Sequence, residues 1–158
     1  GVMGSAAQQG RTGALDDAAA NDGFNLVTQQ TAEWNAEKAQ QIVQSVIDAG
    51  TPFNVIYAEN DDMAKGAVAA LDKANISHGV GKDVIVMGFD CNKWALEELK
   101  AGNWNYDGQC NPFQASYIDD IIKKLESGET ISEKTIIMDE KGFDATTITQ
   151  EDVDNYGI

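Results

Sequence analysis

Two successive units, each an apolar strand running into a helix, constrain this chain more than any other feature. In the first, Val55-Ile-Tyr-Ala58 reads as a buried strand, and a helix pattern follows with Met63, Ala67, Val68 and Leu71 on one face. Asn60 stands at the junction as a preferred N-cap, and Asp61 and Asp62 suit the first turn of the helix dipole. In the second, Asp83-Val-Ile-Val-Met-Gly-Phe-Asp90 ends in a carboxylate, and Trp94, Leu96 and Leu99 mark the next helix. Strands that alternate with helices imply an open parallel sheet with right-handed crossovers, in which ligands bind outside the carboxyl ends of the strands. Asn60 and Asp90 occupy equivalent strand ends. Taken singly, each is a helix cap.

The remaining pattern extends the same architecture. Gly1 to Met3 reads as the end of a strand, Ala6 to Asn21 as an Ala-rich helix stopping near Gly23, and Phe24 to Thr28 as a strand. Asn35 caps an amphipathic helix with Ala39, Ile42, Val43, Val46 and Ile47 inward, closed by Gly50. Trp104 to Cys110 is a further extended segment. Pro112 opens a helix with Tyr117, Ile121, Ile122 and Leu125 inward, ended by Gly128. Thr135 to Met138 and Thr146 to Ile148 read as strands, and Thr149 caps a short acidic helix, Gln150 to Asn155. The predicted fold class is α/β, an open doubly wound parallel sheet flanked by helices.

Composition excludes several functions. The net charge is −15, from 26 acidic and 11 basic residues. Such a surface repels phosphates, which argues against nucleic acid and anionic membranes as partners. The acidic clusters lack the oxygen-ligand spacing of a calcium loop. The two cysteines, Cys91 and Cys110, have no CxxC spacing, and the one histidine, His78, lies in a Gly-rich loop. No metal site, P-loop or GxGxxG is present, and no acid/base pair or nucleophile supports an enzyme. No cofactor is expected. At 158 residues and 42% hydrophobic content the chain can bury one core.

Tyr-Ala-Glu-Asn60-Asp-Asp-Met-Ala-Lys-Gly-Ala with Val-Ile-Val-Met-Gly-Phe-Asp90 resembles the periplasmic sugar-binding proteins of the ribose-binding type. Within them it looks most like the galactofuranose-binding branch. The resemblance runs over nearly the whole chain, but only to the second part of such a protein. It implies residues 1–111 as the C-terminal ligand-binding lobe, 112–143 as a hinge crossing and a segment of the N-terminal lobe, and 144–158 as the return. The chain opens inside a strand, so an N-terminal part, with any targeting signal, is expected to be missing.

By this resemblance Arg11, the chain's one arginine, contacts sugar hydroxyls from the first helix turn after Gly-x-x-Gly, and Trp34 stacks on the ring. Asn60 and Asp90 supply further contacts. The residue types suit a polyol: Arg is a rigid donor fork, Asp accepts from adjacent hydroxyls, Asn does both, and a flat aromatic covers the apolar ring face. Gln109 and Cys110 compete for the hinge-strand contact, with Gln109 the better hydrogen-bonding group. Cys91 and Cys110 should lie near the cleft floor, either bridged or as two thiols.

The implied function is the extracytoplasmic solute-binding component of a carbohydrate ABC importer, periplasmic or membrane-anchored. Its partners would be a monosaccharide and an ABC permease, with hinge closure between two lobes as the mechanism. The alternative is the effector-binding domain of a LacI-type transcription regulator, which shares the fold. The orphaned segment 112–141 is expected to fold back or to pair with a second copy as a homodimer.

Overall fold

The computed structural model describes residues 1–158, with six helices and four strands. In chain order these are α1 (Ala6–Asp22), α2 (Ala36–Asp48), β1 (Val55–Tyr57), α3 (Asp61–Lys73), β2 (Ile85–Asp90), α4 (Lys93–Lys100), β3 (Tyr106–Gln109), α5 (Ala115–Glu126), β4 (Gly142–Asp144) and α6 (Gln150–Tyr156). The sheet order is β1-β2-β3-β4. β1 pairs with β2 and β2 with β3 in parallel, joined by α3 and α4 as crossovers. β4 is antiparallel to β3, with Asp107 opposite Phe143. No helix is long and apolar enough to cross a membrane.

The helix starts follow their caps. Asn35 accepts from the Lys38 N–H at 2.9 Å, and Asn60 from the Met63 N–H at 2.9 Å. Thr149 and Asp152 form a reciprocal capping box that opens α6. α2 lies against α3 at a close crossing. A Cβ on Gly66 would stand 1.9 Å from the Ala36 carbonyl oxygen, so only glycine permits that approach.

β2 shows why the core sits where it does. Its side chains alternate between faces. Val86 is fully buried under the helices, while Ile85 remains 42% exposed. Leu71 of α3, Leu96 and Leu99 of α4, and Val153 of α6 fill the same core and are fully buried. Trp104 closes it and meets Trp94 edge to face at 5.9 Å.

Several expected strands are not formed. Phe24–Thr28 is extended chain with Phe24, Leu26 and Val27 exposed. It stands apart from β1, across a cavity of about 470 Å³ lined by Leu26, Val27, Ile42, Val43, Val55 and Tyr57. A strand needs a neighbour's edge, and none lies beside this one. Thr135–Met138 is likewise unpaired, with Ile137 88% exposed. Thr146–Ile148 forms no strand, and a turn occupies Ala145–Thr147. The strand falls earlier, at Gly142–Asp144, because Gly142 admits the Tyr106 hydroxyl, which would stand 1.7 Å from a Cβ there. The predicted parallel sheet is present in β1–β3, and β4 adds one antiparallel strand at its edge.

α5 forms as expected, but its apolar face is not inward. Tyr117, Ile122 and Leu125 are exposed, and no residue of this helix is buried. No other helix or strand packs closely over it.

Candidate functional site

The carboxyl ends of β1 and β2 converge with the start of α1 and the turn before α2. Arg11 is the centre of this cluster. Its Nη2 donates to Asp90 Oδ1 at 3.1 Å, and its Nη1 donates to the Glu59 carbonyl. The guanidinium carbon lies 4.8 Å from the Phe89 ring centroid and 5.8 Å from that of Trp34. Tyr57 at the end of β1 steadies the helix by donating its hydroxyl to the Arg11 carbonyl at 3.0 Å, and its ring meets Phe89 edge to face at 5.4 Å.

Trp34 is half-buried, with its six-membered ring against Gly1, where no Cβ fits. It also touches the edge of the core, so it serves packing and surface together. Asn60 is buried and caps α3 through its Oδ1. That leaves its Nδ2 without a protein partner.

Asp90 is not a helix cap. α4 begins at Lys93 with Asn92 in the cap position, and no side chain caps it. Asp90 instead faces Arg11, with its Oδ2 unengaged. Burial raises its carboxyl above the usual range, and the Arg11 charge pulls it back. A half-buried ion pair with open valences can accept from and donate to adjacent hydroxyls.

Backbone strain gathers here. Five non-glycine residues have positive φ, and four of them are at this cluster: Glu33 (54°), Trp34 (62°), Asp90 (119°) and Cys91 (61°). Such conformations cost about 1–3 kcal/mol each and persist where the surrounding structure enforces them, commonly at ligand sites.

Gln109 is placed differently. It pairs with Asp90 in the β2–β3 register, but its side chain accepts from the Lys141 N–H at 3.2 Å, and its backbone N–H donates to the Lys141 carbonyl at 2.8 Å. It thus ties β3 to the segment leading into β4. The Cys110 N–H reaches the Asp90 carbonyl at 3.5 Å; burial raises its thiol above the usual range, and the Arg11 charge pulls it partly back. Cys91 and Cys110 are both free thiols, the first buried and the second exposed.

The structure therefore brings Arg11, Trp34 and Asp90 together, with Asn60 at the neighbouring strand end, while Gln109 has its Oε1 engaged by the Lys141 N–H. Sequence reasoning missed Phe89 and Glu59. Both flank residues that it singled out, and the Gly-Phe-Asp and Ala-Glu-Asn runs contain the signal.

The chain resembles known proteins in sequence and in fold. Over 100 residues the chain is 31% identical to the ribose import binding protein of Bacillus subtilis (strain 168), covering 63% of this chain and 30% of that protein. Over 132 residues it is 31% identical to the fructose import binding protein of Bifidobacterium longum (strain NCC 2705), covering 82% of this chain and 38% of that one. It thus spans well under half the length of these relatives. The crystal structure of a galactofuranose binding protein matches with a TM-score of 0.85 over 99% of this chain and 53% of the other; at 22% identity the likeness is one of fold. A family model described as a periplasmic binding protein domain matches residues 1–129, and the chain belongs to that family.

Proposed function

We propose that this chain is the ligand-binding lobe of an extracytoplasmic carbohydrate-binding protein that serves an ABC importer and takes up a monosaccharide by hinge closure. The observation that carries the reading is the Arg11–Asp90 pair at 3.1 Å, bordered by Trp34 and Phe89, with Asn60 at the adjacent strand end. A guanidinium fork and a carboxylate address neighbouring hydroxyls, and the aromatic rings cover the C–H face of a sugar. Two relatives are import binding proteins for ribose and fructose. Neither is an enzyme by name, and binding here involves no bond making.

Residues 1–111 and 144–158 form one lobe in this proposal, and 112–143 belong to a second. The uncovered face of α5 supports that division, while the pairing of β4 with β3 begins the return at Gly142, two residues before Asp144. Gln109 and its bond to Lys141 stand where the two crossings meet, which suits a hinge. A thermal-shift screen of the two-lobed protein against ribose, fructose, galactofuranose and other pentoses and hexoses tests the reading. Stabilisation by one sugar is expected; no stabilisation by any of them overturns it.

A further inference from the structure

Beneath the Arg11–Asp90 wall lie two carboxyl groups with no part in ligand contact. Asp61, the first residue of α3, and Asp107, in β3, are both fully buried. Asp61 Oδ2 accepts from the Asn92 N–H at 2.8 Å and from Asn92 Nδ2 at 3.1 Å. Its Oδ1 and both oxygens of Asp107 have no donor. Gly88 pairs with Asp107 in the sheet, and a Cβ on Gly88 would stand 2.7 Å from Asp61 Oδ1. The bare glycine opens the gap through which Asp61 reaches across β2, and the two carboxyls come within hydrogen-bonding reach of each other.

Three carboxylate oxygens without donors in a dry interior are costly. One proton removes one of the two charges and turns the closest contact between the side chains into a hydrogen bond, because a carboxylic acid donates where a carboxylate accepts. We propose that Asp61 and Asp107 share a proton and act as a positioning pair. The pair fastens α3 to β3 and, through Asn92, holds the strained Asp90–Cys91 turn under the sugar-binding wall. The link to sugar rests on the function proposed above; the shared proton does not.

The titratable groups facing the pair are Asp90 and Cys91, at the end of β2 and in the turn after it, with Arg11 and Asp62 beyond Asp90. Burial, and after it the neighbouring carboxyl, holds Asp107 well above the usual range, up to about 9, and burial raises Asp61 as well. Burial and the two carboxyls also push the Cys91 thiol up, so it stays protonated across the same window. Unfolded, both aspartates titrate near 3.8. Between that value and about 9 the folded chain binds more protons than the unfolded one. The pair's contribution is thus complete below the lower value, declines as pH rises, and is lost above the upper one.

The test compares the wild-type chain with Asp107→Asn, whose amide donates to Asp61 at any pH. Thermal unfolding from pH 6 to pH 9 should lower the wild-type Tm by on the order of 5 °C, and Asp107→Asn should flatten that decline. Infrared spectra of 13C-aspartate-labelled protein at pH 7 should show a buried protonated carboxyl that Asp107→Asn removes. The same alkaline decline in both proteins, or no protonated carboxyl in the wild type, overturns the proposal. If Asp107→Asn does not fold, the infrared band of the wild type decides. Ribose titration of the two-lobed protein at pH 6 and pH 9 reports separately on the sugar link. A several-fold pH-dependent loss of affinity that Asp107→Asn relieves supports it. Equal affinity at both pH values, or no ribose binding at either, removes the sugar link, while the shared proton stands on the infrared result.

Discussion

The unit from β1 to β3 and the segment from Asn111 to Lys141 have similar amphipathic patterns and opposite fates. Leu71, Leu96 and Leu99 are fully buried, each against a strand and a neighbouring helix. In α5, Ile118 is 53% exposed, Ile122 48% and Leu125 56%, although their helical spacing is at least as regular. Periodicity shows that a helix has an apolar face. What covers the face depends on the rest of the fold. In β1–β3 the cover is supplied by the next crossover, a local event. In α5 it must come from another surface, and we read that surface as the second lobe.

Substitutions can break this contrast. Trp104→Ala should cost about 3–5 kcal/mol, because a fully buried indole leaves a cavity that the surrounding helices cannot close. Urea unfolding measures it, and a cost under about 1 kcal/mol would mean that the core is looser than its burial implies. Thr149→Ala should cost about 1 kcal/mol by removing the α6 capping box, read from the same unfolding curves. Ile122→Ser should change the stability of this chain by less than about 0.5 kcal/mol, since the side chain covers nothing here. In a two-lobed protein the same substitution should be clearly destabilising. An equal, small effect in both would remove the second lobe as the cover. The thiols offer a comparison without mutation: a maleimide should label exposed Cys110 and spare buried Cys91 in the native chain, as mass spectrometry reads.

The parts legible in the sequence are those specified by neighbours along the chain. Asn35, Asn60 and Thr149 cap the helices that they announce, since a cap bonds within three residues of itself. Val55–Tyr57 and Ile85–Asp90 read as strands because both are short apolar runs enclosed by crossovers. Phe24–Thr28 and Thr135–Met138 carry the same residue types and remain unpaired, because pairing depends on an edge that their own letters do not encode. Gly142–Asp144 is a strand despite poor propensity, since Gly142 alone lets Tyr106 approach. Arg11, Trp34 and Asp90 were readable by type and spacing. The hydrogen-bonding capacity of Gln109 is legible by type, but the bond between its Oε1 and the Lys141 N–H depends on the return of the chain 32 residues later. The Asp61–Asp107 contact joins residues distant in sequence across a glycine, and nothing in either local pattern signals it.

In the proposed function Arg11 and Asp90 bind sugar hydroxyls as a unit. Calorimetric titration of the two-lobed protein with its best-stabilising sugar, set against Asp90→Ala and Asn60→Ala, tests it most directly. Asp90→Ala should weaken binding by about 2–5 kcal/mol, because the hydroxyls lose a charged acceptor and Arg11 loses its partner. Asn60→Ala should cost less, because Asn60 already spends its oxygen on the helix cap. An unchanged dissociation constant for Asp90→Ala would contradict the account.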